Sequence, residues 1–156
     1  MTIAPNLSGR AAAERSYQNE RMQQADFDQA PFTIAWEVTR ACAYACVHCR
    51  ADAQPQRDPR ELTTAEGKTL IEQLAAFGNS PILIFTGGDP LMRPDVFELI
   101  AYATAQGLRC SLTPTATALP TVECLRQAHD AGVRRIARSL DSPSPAAHDE
   151  FRGAPG

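Results

Sequence analysis

Eight residues carry the strongest chemical signal in this chain. The stretch Cys42-Ala43-Tyr44-Ala45-Cys46-Val47-His48-Cys49 holds three of the chain's five cysteines at C-x3-C-x2-C spacing. Thiolates crowded on one short loop are metal ligands by type and by placement. An iron-sulfur cube normally takes one cysteine per iron, so three local thiolates serve three irons and leave the fourth open to a non-protein ligand. The same residues also suit a Cys3His zinc centre, usually closed and structural, with His48 as fourth ligand. His48 sits between Cys46 and Cys49, where a short loop would strain to aim all four side chains at one ion. Spacing fixes ligand type better than metal identity, so both centres stand on the motif alone.

The elements around this loop must hold it. Residues 32–38, Phe-Thr-Ile-Ala-Trp-Glu-Val, read as a strand that ends at the cysteines. Residues 50–61, with Pro55, Pro59 and several charges, read as a polar surface connection. Thr63-Thr64-Ala65-Glu66 has capping-box spacing and starts a helix whose apolar stripe is Leu70, Ile71, Leu74 and Phe77, with Gly78 as its stop. Residues 81–86 are continuously apolar, as a parallel strand covered on both faces must be, and run into Gly87-Gly88-Asp89-Pro90. Pro94 suits the first turn of the next helix, with Val96, Phe97, Leu99, Ile100 and Ala103 as its buried face and Gly107 as its end. A third strand is expected over 108–113, a third helix over 121–131, and a fourth strand over 133–140 that leads into Asp141. Strand and helix alternate, which implies a parallel sheet with right-handed crossovers. In such architectures ligands bind at the carboxyl ends of the strands. The cysteines, Gly87-Gly88-Asp89-Pro90, Thr113-Pro114-Thr115 and Ser139-Leu140-Asp141 all fall at those ends.

These motifs together resemble the radical S-adenosylmethionine (SAM) enzymes, and the resemblance covers residues 31–156. In that family the amino and carboxylate groups of SAM's methionine moiety chelate the open iron of a 4Fe-4S cluster. One electron then cleaves SAM to methionine and a 5'-deoxyadenosyl radical, which abstracts hydrogen from substrate. Thr86-Gly87-Gly88-Asp89-Pro90-Leu91 is similar to the family's GGEP motif, whose backbone and acidic side chain bind the amino group; Asp89 stands where glutamate is commoner. Ser139-Leu140-Asp141-Ser142, followed by His148-Asp149-Glu150-Phe151-Arg152-Gly153, resembles the S-L-D-G and H-D-x-x-R-G pattern of SPASM-type, molybdopterin- and heme-maturation-like members. There the serine lies near the ribose and the arginine pairs with the methionine carboxylate. Relatives commonly have T-N-G after the third strand, whereas Thr113-Pro114-Thr115 loses a backbone donor at Pro114. Arg138 also stands where a strand would carry an apolar residue.

The resemblance implies Cys42, Cys46 and Cys49 as cluster ligands, and Gly87, Gly88, Asp89, Pro90, Thr113, Ser139 and Arg152 as SAM contacts. It implies an α/β fold, a parallel-stranded partial (β/α) barrel cut after about four strands, as the N-terminal portion of a core domain spanning 31–156. Residues 1–30, with room for a short helix around 10–24, read as a lead-in, partly disordered. The expected activity is that of a radical SAM oxidoreductase acting on a peptide or cofactor-precursor substrate, with flavodoxin or ferredoxin as low-potential electron donor. The competing reading is a non-catalytic zinc- or iron-sulfur-binding module, or an inactive fragment.

Composition narrows the setting. With 156 residues and 44% hydrophobic content the chain is long enough for one domain with a core. A net charge of -3 provides no basic field for nucleic acid or an anionic membrane. Apolar runs are too short for a membrane span, and no signal-peptide pattern opens the chain. An odd cysteine count with three on one loop argues against a disulfide framework, so a reducing, cytoplasmic setting is expected. Cys110 and Cys124 read as small apolar residues of a strand and a helix, apart from the metal.

Overall fold

The computed structural model describes residues 25–78, 80–115 and 117–154, and a few between 12 and 23, which are helical. The rest of the expected lead-in lies outside the described residues. Strands β1 (Thr33–Thr39), β2 (Ile82–Gly87), β3 (Arg109–Leu112) and β4 (Arg135–Ile136) pair in that order, every pair parallel. Helices α1 (Thr64–Ala75), α2 (Val96–Ala105) and α3 (Val122–Asp130) make the crossovers, and α4 (Pro145–Arg152) follows β4. This is the strand-helix alternation that the sequence implies.

The core lies between the sheet and the helices α1, α2 and α3. Leu83 and Phe85 of β2 are fully buried against Ile71 of α1 and Leu99 and Ile100 of α2, and Ala128 of α3 closes the far side. Trp36 of β1 packs on Phe85 with ring centroids 5.7 Å apart. Each residue of this size withdrawn from water contributes about 1.5–3 kcal/mol. The Thr63 capping box forms as its spacing requires: Thr63 Oγ1 accepts from the Glu66 N–H, and Glu66 Oε2 accepts from the Thr63 N–H at 2.8 Å.

A buried arginine locks the layers together. Arg93, 1% exposed, donates two guanidinium bonds of 2.9 Å to Asp95 and a third of 3.1 Å to the Val38 carbonyl. Asp95 also accepts from Thr64 Oγ1 at 2.7 Å. One ion pair therefore ties the end of β1 to the starts of α1 and α2. Burial pushes the Asp95 carboxyl up, but the bonds from Arg93 and Thr64 outweigh it and hold it below its usual range.

Four details differ from the sequence expectation. Phe77 lies beyond the end of α1 and is exposed, because the helix closes at Ala76 before the stripe reaches it. Pro94 precedes the N-cap Asp95 of α2 and so stands outside its first turn. β3 spans four residues within the expected 108–113, since Thr113 N–H makes the last backbone bond to β2, to Phe85 O at 3.0 Å, and Pro114 has no N–H to continue the ladder. β4 is only Arg135–Ile136 rather than 133–140, because its sole partner among the described residues, β3, ends at Leu112.

Candidate functional site

The cysteine loop is built from its base upward. β1 breaks register between Glu37 and Thr39, where it runs out toward the loop. The loop is then closed by a parallel bridge between Ala41 and Gln54: Cys42 N–H donates to Gln54 O and Gln54 N–H to Arg40 O, both at 2.8 Å. Glu61 braces this base by accepting from Thr39 Oγ1 at 2.6 Å, Arg40 N at 3.2 Å, Asp58 N at 3.3 Å and Arg57 Nε at 2.6 Å. Burial raises the Glu61 pKa, yet these donors win and hold it below the ordinary value. Within the loop, Sγ of Cys42 accepts from Tyr44 N–H and Sγ of Cys49 from Ala53 N–H, each at 3.4 Å.

The Gly-Gly-Asp segment meets that base edge-on. Gly88 N–H donates to Thr39 O at 2.9 Å and Asp89 N–H to Ala41 O at 2.7 Å. A Cβ on Gly87 would lie 2.1 Å from Thr39 O, and one on Gly88 2.4 Å from Ala41 O. Gly87 also has φ +130°, a conformation that side chains disfavour. The glycines are thus required first for close approach of two protein backbones, the one carrying the cysteines and the one after β2.

Asp89 is fully buried behind the wall so formed. Its carboxylate accepts from Leu91 N at 3.1 Å, Thr115 N at 3.4 Å and Thr117 Oγ1 at 3.2 Å. Burial pushes its pKa up against those bonds. Thr115, also buried, donates its hydroxyl to Gly88 O at 2.9 Å and lies 3.7 Å from Cys42 Sγ.

The opposite wall comes from β4 and α4. Arg138 stands beyond the shortened strand, and its Nη2 donates to Thr115 O at 3.4 Å. Asp141 accepts from Arg152 Nη1 at 2.6 Å and faces His48 Nε2 at 3.8 Å. His48 stacks on Phe151 with centroids 4.3 Å apart, and Val47 N–H donates to Phe151 O at 3.2 Å. The end of α4 therefore grips the cysteine loop, and His48 is engaged with Phe151 and Asp141. Ser144 caps α4 through Ala147 N–H, Pro145 opens it, and Gly153 ends it with φ +65°.

These walls enclose a cavity of about 400 Å³ at the carboxyl rim of the sheet, a size suited to a small-molecule ligand. Cys42, Cys46 and Cys49 line it, as do Gly87, Gly88, Thr113, Ser139 and Arg152. Asp89 and Pro90 are not on its surface; both are buried behind it. Cys110 is buried in β3 and Cys124 lies on α3, and neither lines the cavity. Thr115, which the sequence places at this rim without a role, lines it too, as do Tyr44 and Arg138, to which the sequence gives no site role.

The lining suits a cationic centre with an anionic partner. Burial raises the Cys46 thiol pKa; Arg152 lowers it, and the negative charge of Cys42 and Cys49 raises it again. Three thiolates held this close repel one another unless positive charge shares the space. Arg152 is buried, and its Nε has no hydrogen-bond partner among the described residues. An orphaned guanidinium N–H beside the cavity fits a carboxylate. Among the described residues no three His, Cys, Asp or Glu side chains converge on a single ion.

Comparison with known proteins shows which family the sequence and the fold belong to. The sequence profile of the radical SAM superfamily matches residues 36–156. The AdoMet-dependent heme synthase of Oleidesulfovibrio alaskensis is 56% identical over 123 residues, which are 79% of this chain and 31% of the relative. The Fe-coproporphyrin III synthase of Methanosarcina barkeri is 36% identical over 155 residues, 99% of this chain and 38% of the relative. The crystal structure of BtrN in an open conformation superposes with a TM-score of 0.62 at 20% identity, over 80% of this chain and 55% of that one. The chain spans about a third of the length of the curated relatives it matches.

Proposed function

The chain belongs to the radical SAM superfamily, whose members use a 4Fe-4S cluster and SAM, and from that premise we propose that its cavity holds both groups. The observation that carries this reading is one cavity onto which Cys42, Cys46 and Cys49 open from the loop after β1, Gly88 from the end of β2, Ser139 from the stretch after β4 and Arg152 from the end of α4. When bound, the cluster supplies the electron for reductive cleavage of SAM.

The chain's own residues would bind and orient. Cys42, Cys46 and Cys49 would ligate three irons. Gly87 and Gly88 hold the loop after β2 against the cysteine loop, and the Gly88 carbonyl would accept from the ammonium of SAM. Arg152, fixed by Asp141 through Nη1, would donate from Nε to the carboxylate of SAM. Ser139 and Thr113 would contact the nucleoside end. Asp89 and Pro90 act from behind the wall: Asp89 holds Thr115 and Leu91 in place.

The whole protein is proposed to be a radical SAM oxidoreductase that acts on a tetrapyrrole cofactor precursor. This narrows the cofactor-precursor class and is supported by the names of the heme synthase and Fe-coproporphyrin III synthase relatives. A low-potential flavodoxin or ferredoxin would supply electrons. The five free cysteines are in keeping with a reducing, cytoplasmic setting, and no helix among the described residues is long and apolar enough to cross a membrane.

The test is anaerobic reconstitution with iron and sulfide, followed by electron paramagnetic resonance of the reduced protein with and without SAM. The expected result is a 4Fe-4S signal that shifts on adding SAM and is lost in a folded Cys42→Ala variant. Zinc uptake with no SAM-sensitive signal would overturn the reading in favour of a structural module.

A further inference from the structure

Thr115 occupies a position that the assignment of ligands and SAM contacts leaves without a role. Its backbone is held on both sides: its N–H donates to Asp89 Oδ1 at 3.4 Å and its carbonyl accepts from Arg138 Nη2 at 3.4 Å. The residue is 8% exposed. Its hydroxyl therefore keeps one principal freedom, rotation of the single O–H between two acceptors. One is Gly88 O at 2.9 Å; the other is Cys42 Sγ at 3.7 Å. The first belongs to the segment placed against SAM, and the second to a cluster ligand.

Proton counting makes the two contacts depend on each other. While Cys42 is a thiol, its S–H can donate to Thr115 Oγ1 and the threonine can donate onward to Gly88 O. A cysteine that ligates iron has no proton to give. The hydroxyl then has one proton and two acceptors, the thiolate sulfur and the Gly88 carbonyl. A charged donor arriving at the carbonyl makes the stronger bond there and lowers the carbonyl's value to the hydroxyl. The hydroxyl is then better placed on the sulfur. Hydrogen bonds to cluster sulfurs favour the reduced, more negative state and so raise the reduction potential.

We propose that Thr115 is a positioning residue that couples occupancy of the Gly88 carbonyl by an ammonium group to the reduction potential of the centre bound at Cys42, by moving one hydroxyl proton between them. The proposal rests on the reading of the cavity as a cluster and SAM site. It gives the buried Asp89 a function too, since Asp89 fixes the backbone of Thr115 rather than opening on the cavity.

The experiment is a potentiometric titration of anaerobically reconstituted parent chain, Thr115→Val and Thr115→Ser, each with and without SAM, followed by the resonance signal of the reduced cluster. Parent protein that shows no SAM-sensitive cluster signal would sink the cluster reading and this proposal with it. With that signal in hand, Thr115→Ser is expected to match the parent. Thr115→Val is expected to match the parent without SAM, and to have a more negative midpoint with SAM, so that the SAM-dependent part of the shift that comes from the hydroxyl is lost. Identical midpoints in Thr115→Val and parent under both conditions would overturn the coupling, and so would an equal drop under both. If Thr115→Val takes up no cluster, Thr115→Ala against Thr115→Ser makes the same comparison across a single hydroxyl.

Discussion

The two walls of the cavity are built from unlike material. The wall that carries Cys42 and Gly88 is continuous with the core: Val38, Thr39 and Ala41 are buried, Glu61 and Arg93 bind the backbone there, and β1 pairs with β2 from Thr33 to Thr39 with one irregularity at Val38. The wall that carries Arg138 and Ser139 hangs on a two-residue strand, with Ile136 and Leu140 exposed. The difference teaches that the cysteine loop is positioned by the same contacts that stabilise the fold, whereas the facing wall can be altered with little effect on stability. Substitutions on the first wall should therefore damage fold and site together. Those on the second should separate the two.

The largest effect is expected at Gly87. An alanine Cβ would stand 2.1 Å from Thr39 O, and the flexible end of a side chain is not what it meets but backbone. The positive φ adds strain that no relaxation of neighbours removes. Gly87→Ala should cost roughly 3 kcal/mol or more, read as a fall in the thermal midpoint, and should abolish cluster uptake. Trp36, the chain's one tryptophan, packs on Phe85 of the adjoining strand and reports the unfolding by fluorescence. A folded Gly87→Ala variant with undiminished stability would mean that the two backbones are not in contact as described.

What was legible in the sequence was what depends on neighbours along the chain. The capping box at Thr63 and Glu66, the stop at Gly78, the alternation of strands and helices, and the three cysteines all show as spacing. What was not legible depends on partners remote in sequence. Arg93 reaches Val38 across 55 positions, Glu61 reaches Thr39 across 22, and Cys42 meets Thr115 across 73. No local pattern marks such residues, since a buried arginine and a surface one look alike in sequence. The fourth strand was over-extended for a related reason. Apolar residues recur from Val133 through Ile136 and Ala137 to Leu140, but strand length is set by the partner's hydrogen bonds, and β3 ends at Leu112. That shortening moves Arg138 out of the sheet and onto the cavity. The motif's acidic residue was placed correctly at the strand end, yet its burial could not be read from its type.

Glu61 gives the next effect and tests the first wall by charge rather than by shape. Its four partners are all donors. The amide of Glu61→Gln would turn an N–H₂ toward at least one of them and leave it unpaired. A loss of about 1–3 kcal/mol at neutral pH is expected, the scale for buried bonds to a charged group. The pH dependence has a fixed sign. The folded pKa lies below the ordinary 4.5, so the contribution is complete above about that pH and fades as pH falls through the depressed folded value. Denaturation midpoints of the parent should therefore drop more steeply below pH 4.5 than those of Glu61→Gln. Parallel acid limbs for the two proteins would remove Glu61 from the account of how the loop is anchored.

Asp141 tests the second wall, where the expected effect on stability is smallest. Its partner Arg152 is buried, but Asp141 itself is partly exposed, so solvent screens the pair and the loss in Asp141→Asn should be about 1 kcal/mol. The asparagine keeps an oxygen for Arg152 Nη1 while removing the charge that also faces His48. The grip of α4 on the cysteine loop then rests on the His48 and Phe151 stack, the Val47 bond and Arg152 over the Tyr44 ring. Amide exchange at Val47 should quicken, while exchange at Gly88 and Asp89, whose N–H groups bond the first wall, should stay as it was. If both sets quicken together, the walls are one cooperative unit and the division between them fails. If only Val47 responds, the second wall can be opened without loosening the cysteine-bearing one, which is the behaviour expected of a side through which a large ligand would enter.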